Sequence, residues 1–313
     1  MTALLTTANW SSGAWMKALR AADPDRHFVQ LGVDQYAPED VRYALTWKPP
    51  LGLLSSLPNL EIIFNLGAGV DAVLTDPDLP DIPLVRLVDD NLTERMTEWV
   101  TLQVLTHHRS ALTYLDHQKN RQWRTHDQPI AADVRVGFLG YGVLGQHAAQ
   151  VIRALGFPVH AWSRSAKQSD ITLHVGEAGL DPFLERTDIL VVLLPLTPST
   201  TEIINRDLMA KLRQDGALGG PILINAGRGG LQNEADVLAA LNDGTLKGAS
   251  LDVFQTEPLP ADSPFWDAPN LIITPHNSAV SDPTSVSRYV TRQMAAYERG
   301  EALVNIVDRA RGY

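Results

Sequence analysis

The sequence predicts an α/β protein whose larger part is a doubly wound parallel sheet, and three observations carry the prediction. Residues 134–164, VRVGFLGYGVLGQHAAQVIRALGFPVHAWSR, read as strand, glycine turn, helix, strand. Beyond them, apolar strand-like runs at 189–194, 222–225, 250–254 and 271–274 are separated by longer, more polar segments that include a helix over 235–241. The first third carries its own alternation of strands and helices, and 313 residues exceed the usual single core. Two domains follow: a smaller, discontinuous one from residues 1–98 and 286–313, and a larger one from residues 99–285.

In chain order, residues 4–6 read as a strand, Trp15, Leu19 and Ala22 as one face of a helix, and residues 28–31, 43–46 and 61–66 as further strands. Pro49, Pro50 and Gly52 mark a loop after Trp47, and residues 53–57 form a helix-like segment before Pro58. After a strand at 84–88, Asn91 with Glu94 three residues later has the pattern of a capping box. A long helix is expected from there through Met96, Trp99, Val100, Val104, Leu112 and Leu115, with the hinge near its start. His107, His108 and His117 lie along or near it, but no acidic or cysteine partner is spaced for a metal, so no metal site is expected. The last helix, at about 284–300, can return to the first domain.

The glycines of the 134–164 segment stand where a bound pyrophosphate needs them. Gly140, Gly142 and Gly145 make G-x-G-x-x-G between a strand and a helix. The first permits the tight turn, the second removes a Cβ from the path of the phosphates, and the third lets helix and strand approach. The helix N-terminus adds unpaired N–H groups and partial positive charge. A preference for NAD places Asp or Glu about 20 residues further on. Here Ser163, Arg164 and Ser165 stand instead, with Lys167 after them, a set that suits a 2′-phosphate. NADP(H) is therefore the expected cofactor, with NAD(H) possible.

Composition excludes several classes. The chain is 44% hydrophobic and 20% charged with a net charge of −10, and no basic block appears, so nucleic acid is not an expected partner. The absence of cysteine removes disulfides, thiolate metal sites and a cysteine nucleophile. The first ten residues form no signal peptide and no stretch approaches ~18 consecutive apolar residues, so a cytoplasmic protein without membrane contact is expected.

In a doubly wound sheet, ligands bind beyond the carboxyl ends of the strands. Each of the last three strands ends in a candidate group: Arg228 in Asn225-Ala226-Gly227-Arg228-Gly229, Glu257 after Leu251-Asp252-Val253-Phe254, and His276 in Thr274-Pro275-His276. Singly, each could be a surface charge or a packed histidine. Together, beside a nucleotide cradle, they point to chemistry. In the first domain, Leu66-Gly67-Ala68-Gly69-Val70-Asp71 follows a strand, and such a turn can aim N–H groups at a carboxylate.

These motifs, with LLPLTPST at 193–200, resemble the D-isomer-specific 2-hydroxyacid dehydrogenases over nearly the whole chain. TWKPP at 46–50, WSR at 162–164 and VDRARGY at 307–313 resemble the branch that reduces glyoxylate and hydroxypyruvate. The resemblance implies a Rossmann domain and a smaller flavodoxin-like substrate domain in a homodimer. It implies that His276 is the acid/base, that Glu257 bonds to it, and that Arg228 binds the carboxylate and carbonyl of a small 2-oxo or 2-hydroxy acid. The backbone of Ala68 and Gly69 would hold the substrate carboxylate, Trp47 would close over a small substrate, and domain closure would exclude water. It also implies cofactor contacts from Gly140, Gly142, Val143, Leu144, Gly145, Ser163, Arg164, Lys167, Pro195, Thr200 and Ala226, with Asp252 accepting from the nicotinamide carboxamide. The chemistry agrees: a carboxylate beside a histidine favours its charged form, and arginine's planar fork matches a carboxylate.

Asn277-Ser278 stands where the family has small or aliphatic residues, and residues 218–221 look like a short insertion. Besides reduction of glyoxylate, hydroxypyruvate or another 2-oxo acid, a dinucleotide-sensing role like that of the corepressors similar to this family remains open.

Overall fold

The computed structural model describes residues 1–8 and 10–313. They form two compact units, Met1–Leu92 with Val280–Tyr313, and Thr93–Ala279.

In the first unit, β1 (Thr2–Thr7), α1 (Ser12–Ala22), β2 (His27–Gln30), β3 (Val41–Trp47), β4 (Ile62–Asn65), α2 (Asp71–Leu74) and β5 (Leu84–Val85) follow one another. The strands form one parallel sheet in the order β2-β1-β3-β4-β5. Leu4, Leu5, Ala44, Leu45, Ile62, Ile63 and Phe64 are all fully buried. Neighbouring positions along β1, β3 and β4 are therefore buried alike, because both faces of a parallel sheet are covered. α1 buries Trp15, Met16 and Leu19 and packs on the C-terminal helix Pro283–Glu298. That helix is fastened by Glu298, which accepts two bonds from the Arg26 guanidinium at 2.7 and 3.0 Å and one from the Tyr43 hydroxyl at 3.0 Å. The bonds from Arg26 hold its carboxyl below the usual range. Beyond the helix, an antiparallel bridge between Val85 and Ile306 and a bond from Val307 N–H to Leu84 O cover the edge of β5.

The second unit begins within the first turn of α3 (Asp90–His108) and continues through α4 (Ala111–Lys119), β6 (Val136–Leu139), α5 (Val143–Ala154), β7 (Val159–Ser163), β8 (Thr172–Val175), α6 (Gly176–Leu184), β9 (Ile189–Val192), α7 (Arg206–Ala210), β10 (Ile222–Asn225), α8 (Glu234–Asp243), β11 (Gly248–Leu251) and β12 (Leu271–Ile273). Its seven parallel strands have the order β12-β11-β10-β9-β6-β7-β8. The order reverses between β6 and β9, which puts the glycine turn after β6 at the switch point of a doubly wound sheet. The α/β class read from the sequence is the one observed.

Two local readings are corrected. The N-cap of α3 is not Asn91, which lies inside the first turn; Asp89 fills the role, its carboxylate accepting from Leu92 N–H at 3.2 Å and from the Ser285 hydroxyl at 3.1 Å. Both residues have the cap-to-third-residue spacing, and Asp89 gains the second donor. The expected single long helix is two, because Ser110 takes a left-handed conformation (φ 52°) between α3 and α4. Met96, Val100 and Val104 of α3 join the core with Val136, Phe138 and Ile152, whereas Leu115 on α4 is half-exposed. The edge strand β8 and helix α6 were not read from the sequence, since Thr172-Leu173-His174-Val175 has no fully buried position to mark it.

Two histidines of this unit are held neutral. His107 Nε2 lies 2.8 Å from Ser250 Oγ, which donates to Gln103 Oε1 at 2.9 Å, and His160 Nε2 lies 3.0 Å from Thr187 Oγ1. Burial depresses both from 6.5 to about 4. The unfolded chain therefore takes up protons at higher pH than the folded one. The stabilisation is complete above about 6.5 and is lost as the pH falls toward 4. Urea-unfolding midpoints should fall across that interval and fall less steeply in His160→Gln; parallel curves for the two proteins would contradict this account.

Candidate active site

The cradle is built by β6 and α5. Gly140 has φ 108°, and a Cβ there would stand 2.8 Å from the Leu193 carbonyl carbon and oxygen. Gly145 faces Gly140 O so closely that its Cβ would come within 2.3 Å. A Cβ on Gly142, the N-cap of α5, meets nothing within 4 Å and would fill the mouth of the turn. Close packing at the first and third glycines with open space at the second is the arrangement a pyrophosphate requires. Val143 and Leu144 form the first helical turn, where amide N–H groups have no intrahelical acceptor.

The loop after β7 carries the next set. The Ser163 hydroxyl donates to Ser165 O at 2.7 Å, so it fastens its own turn, and Arg164 is exposed. Lys167 reaches back to the glycine turn, its ammonium donating to Tyr141 O at 2.7 Å, and partial desolvation lowers its pKa. Thr200 closes the loop after β9, donating to Pro195 O at 2.8 Å and accepting from Thr197 N–H at 2.8 Å. Ala226 continues the pairing of β10 with β9 through its N–H to Val192 O at 3.3 Å.

The three candidate groups of the later strand ends are tied together by polar residues beneath them. Asn225 donates to Gln232 Oε1 at 2.9 Å and accepts from Gly227 N–H at 3.0 Å, shaping the loop that carries Arg228. Arg228 is partly buried, with one guanidinium N–H on Gly227 O at 2.8 Å. Gln232 donates to Val253 O at 3.0 Å, joining this loop to the segment that leads to Glu257. Glu257 accepts from Phe254 N–H at 3.2 Å through Oε1 and faces His276 Nδ1 at 2.8 Å through Oε2. The contact leaves His276 Nε2 as the nitrogen opposite the carboxylate.

Asp252 holds the histidine loop from below. It is 1% exposed, and its carboxylate accepts from Thr274 Oγ1 at 2.5 Å, Asn277 N–H at 3.0 Å and Ser278 N–H at 3.0 Å. His276 N–H donates to Asp252 O at 2.8 Å while the histidine takes a left-handed φ of 51°. The unusual Asn277-Ser278 pair thus meets Asp252 through backbone amides, which any residue but proline would supply. The 218–221 insertion leads into the amino end of β10, away from these loops, and the Lys247 ammonium donates to Leu218 O there.

The first unit has its own glycine turn after β4. Asn65, 2% exposed, donates to Gly67 O at 2.7 Å and Gly69 O at 2.9 Å. Because a trans peptide sets N–H opposite C=O, the amides of Ala68 and Val70 point away from Asn65. The ring of Trp47 lies against Gly67, whose Cβ would come 2.2 Å from Cζ3. Asn65, Gln232 and the structural role of Asn225 were not singled out from the sequence; the available signal was a polar residue at the end of an apolar strand before a glycine turn.

The D-isomer specific 2-hydroxyacid dehydrogenase NAD binding domain matches residues 101–278. A glyoxylate/hydroxypyruvate reductase A of Salmonella paratyphi B is 40% identical over 306 residues, 96% of each chain. An NADPH-dependent glyoxylate/hydroxypyruvate reductase from Sinorhizobium meliloti, solved with NADP and sulfate, is 46% identical with a TM-score of 0.95, over 100% of this chain and 99% of its own. A probable 2-hydroxyacid dehydrogenase from Rhizobium etli CFN 42, solved with NADP, HEPES and L(+)-tartaric acid, is 45% identical with a TM-score of 0.94 over the same shares. Likeness of this extent, on a chain that carries the cradle and its strand-end loops, means that it belongs to the D-isomer specific 2-hydroxyacid dehydrogenase family.

Proposed function

We propose that the chain is an NADPH-dependent reductase of small 2-oxo acids, taking glyoxylate to glycolate and hydroxypyruvate to D-glycerate, and that it works as a cytoplasmic homodimer. The observation that carries the reading is the 2.8 Å contact of His276 Nδ1 with Glu257 Oε2 at the carboxyl ends of the sheet that also bears the glycine cradle. Names of the relatives and the NADP in the related structures support the cofactor and the substrate class.

The bound dinucleotide would supply a hydride to the carbonyl carbon. His276, protonated and paired with Glu257, gives its Nε2 proton to the carbonyl oxygen as negative charge develops there, so a 2-oxo acid, hydride and proton yield a 2-hydroxy acid. Glu257 stabilises the cationic imidazole and fixes its orientation. Arg228, held by the Asn225 loop, binds the substrate carboxylate and polarises the carbonyl without losing its own proton. Asp252 keeps the histidine loop in place, a role added to its expected contact with the carboxamide. Arg164, Ser163 and Lys167 hold the 2′-phosphate side of the dinucleotide, while Gly140, Gly142, Val143, Leu144 and Gly145 cradle its pyrophosphate; Pro195, Thr200 and Ala226 border it. In the first unit, Ala68 and Gly69 offer amides to a carboxylate and Trp47 limits substrate size.

Steady-state oxidation of NADPH and NADH with glyoxylate, hydroxypyruvate, pyruvate and a bulkier 2-oxo acid tests the reading. Fast NADPH oxidation with the first two acids is expected; NADPH binding without turnover of any acid would overturn it. His276→Ala should lower kcat by about 100-fold or more with the Kd for NADPH nearly unchanged, and Glu257→Gln should lower kcat in the same direction but by less. Unchanged turnover in His276→Ala would remove the acid/base assignment. Arg164→Ala should weaken NADPH about 10- to 100-fold, the worth of a charged hydrogen bond, and leave NADH nearly unaffected. Equal losses for the two nucleotides would remove the 2′-phosphate contact.

A further inference from the structure

We infer that Trp10 is a positioning residue that locks Trp47 against the Gly67 turn and so sets the largest side chain the 2-oxo acid can carry. The inference rests on the reductase reading and deepens it by naming what fixes the substrate limit. All the residues concerned lie in the first unit.

Three indoles are stacked in series at the carboxyl end of that unit's sheet. Trp10 lies 4.9 Å from Trp47 with 14° between their planes, and 5.4 Å from Trp15 with 10° between planes. Trp15 is the fixed end, 3% exposed on α1. The backbone brings the other two together: Thr7 of β1 stands opposite Trp47 of β3, and Ala8 N–H donates to Trp47 O at 3.2 Å. Thr7 Oγ1 then donates to Trp10 O at 3.4 Å, holding the chain as it leaves the strand.

On its other side the Trp47 ring is limited by Gly67. A Cβ on Gly67 would stand 2.2 Å from Cζ3, 2.8 Å from Cε3 and 3.0 Å from Cη2, so the benzo edge occupies the space that any other residue would claim. Gly67 opens the turn whose Ala68 amide is aimed away from Asn65. An acid whose carboxylate rests on that turn has its carbon chain beside the Trp47 ring. With Trp10 stacked on one face and the Gly67 turn against its benzo edge, the partly buried ring is blocked in both directions from swinging aside for a longer chain. Removing Trp10 frees one whole face of Trp47. Trp47 is then the wall and Trp10 its brace.

The test compares wild type with Trp10→Ala and Trp10→Phe, using glyoxylate and 2-oxo-4-methylpentanoate as substrates with NADPH. In Trp10→Ala the ratio of kcat/KM for glyoxylate to that for the branched acid should fall about tenfold or more, chiefly through KM, as expected when a pocket gains room for several methylenes. Trp10→Phe, which keeps a stacked ring, should restore most of the ratio, and KM for NADPH should be unchanged in both. A merely structural role would lower both acids together and leave the ratio where it was, and that result overturns the inference. If wild type reduces no 2-oxo acid, the reductase reading fails separately, and the brace is judged by binding of oxalate and of isopropylmalate, read by tryptophan fluorescence. Entry of isopropylmalate into Trp10→Ala but not wild type supports it; the same preference in both proteins overturns it.

Discussion

A buried carboxylate, that of Asp252, holds the loop that carries His276. A charge that is 1% exposed is costly unless donors surround it, and here a hydroxyl and two backbone amides do so. Those three donors all come from residues 274–278, so the bonds that make burial tolerable also pin the His276 loop. The left-handed backbone of His276 costs about 1–2 kcal/mol, and its N–H bond to Asp252 O helps offset it. With the loop fixed, the imidazole meets Glu257 at 2.8 Å. Asp252 thus fixes the geometry of the loop that carries His276.

A related solution occurs at the ends of β4 and β10, where a buried amide side chain organises the turn that follows. Asn65 at the end of β4 gathers two carbonyls of the Gly67–Gly69 turn, and Asn225 at the end of β10 organises the Arg228 loop. Both are almost fully buried and lie on strands whose other residues are apolar. A parallel sheet leaves its strand ends pointing at the ligand side, and a buried amide there supplies donors and an acceptor without adding charge. These are positions where polarity serves the shape of a loop.

Much of this was legible because it obeys short-range rules. The glycine turn needs particular residues at fixed spacing, and the buried parallel strands announce themselves as apolar runs, so 222–225 coincides with β10 and the cradle falls between β6 and α5. Arg228, Glu257 and His276 were visible as polar groups placed at strand ends. What was not legible depends on partners distant in sequence. Asp89 prevails over Asn91 as a cap because Ser285 reaches it, Ser110 breaks a helix that periodicity would continue, and Gln232 joins two loops across 21 residues. The stack of Trp10 on Trp47 arises from strand pairing across the sheet, which no local pattern records.

If Asp252 and Glu257 act on one imidazole, the first by placing its loop and the second by orienting its ring, their effects cannot be independent. Single-turnover oxidation of saturating NADPH by glyoxylate in Asp252→Ala, Glu257→Gln and the double variant measures that coupling directly. The double variant should be little slower than Asp252→Ala alone, since a misplaced histidine has nothing left to lose from its partner. Losses that multiply in full would mean that the carboxylates act separately, and would contradict that coupling.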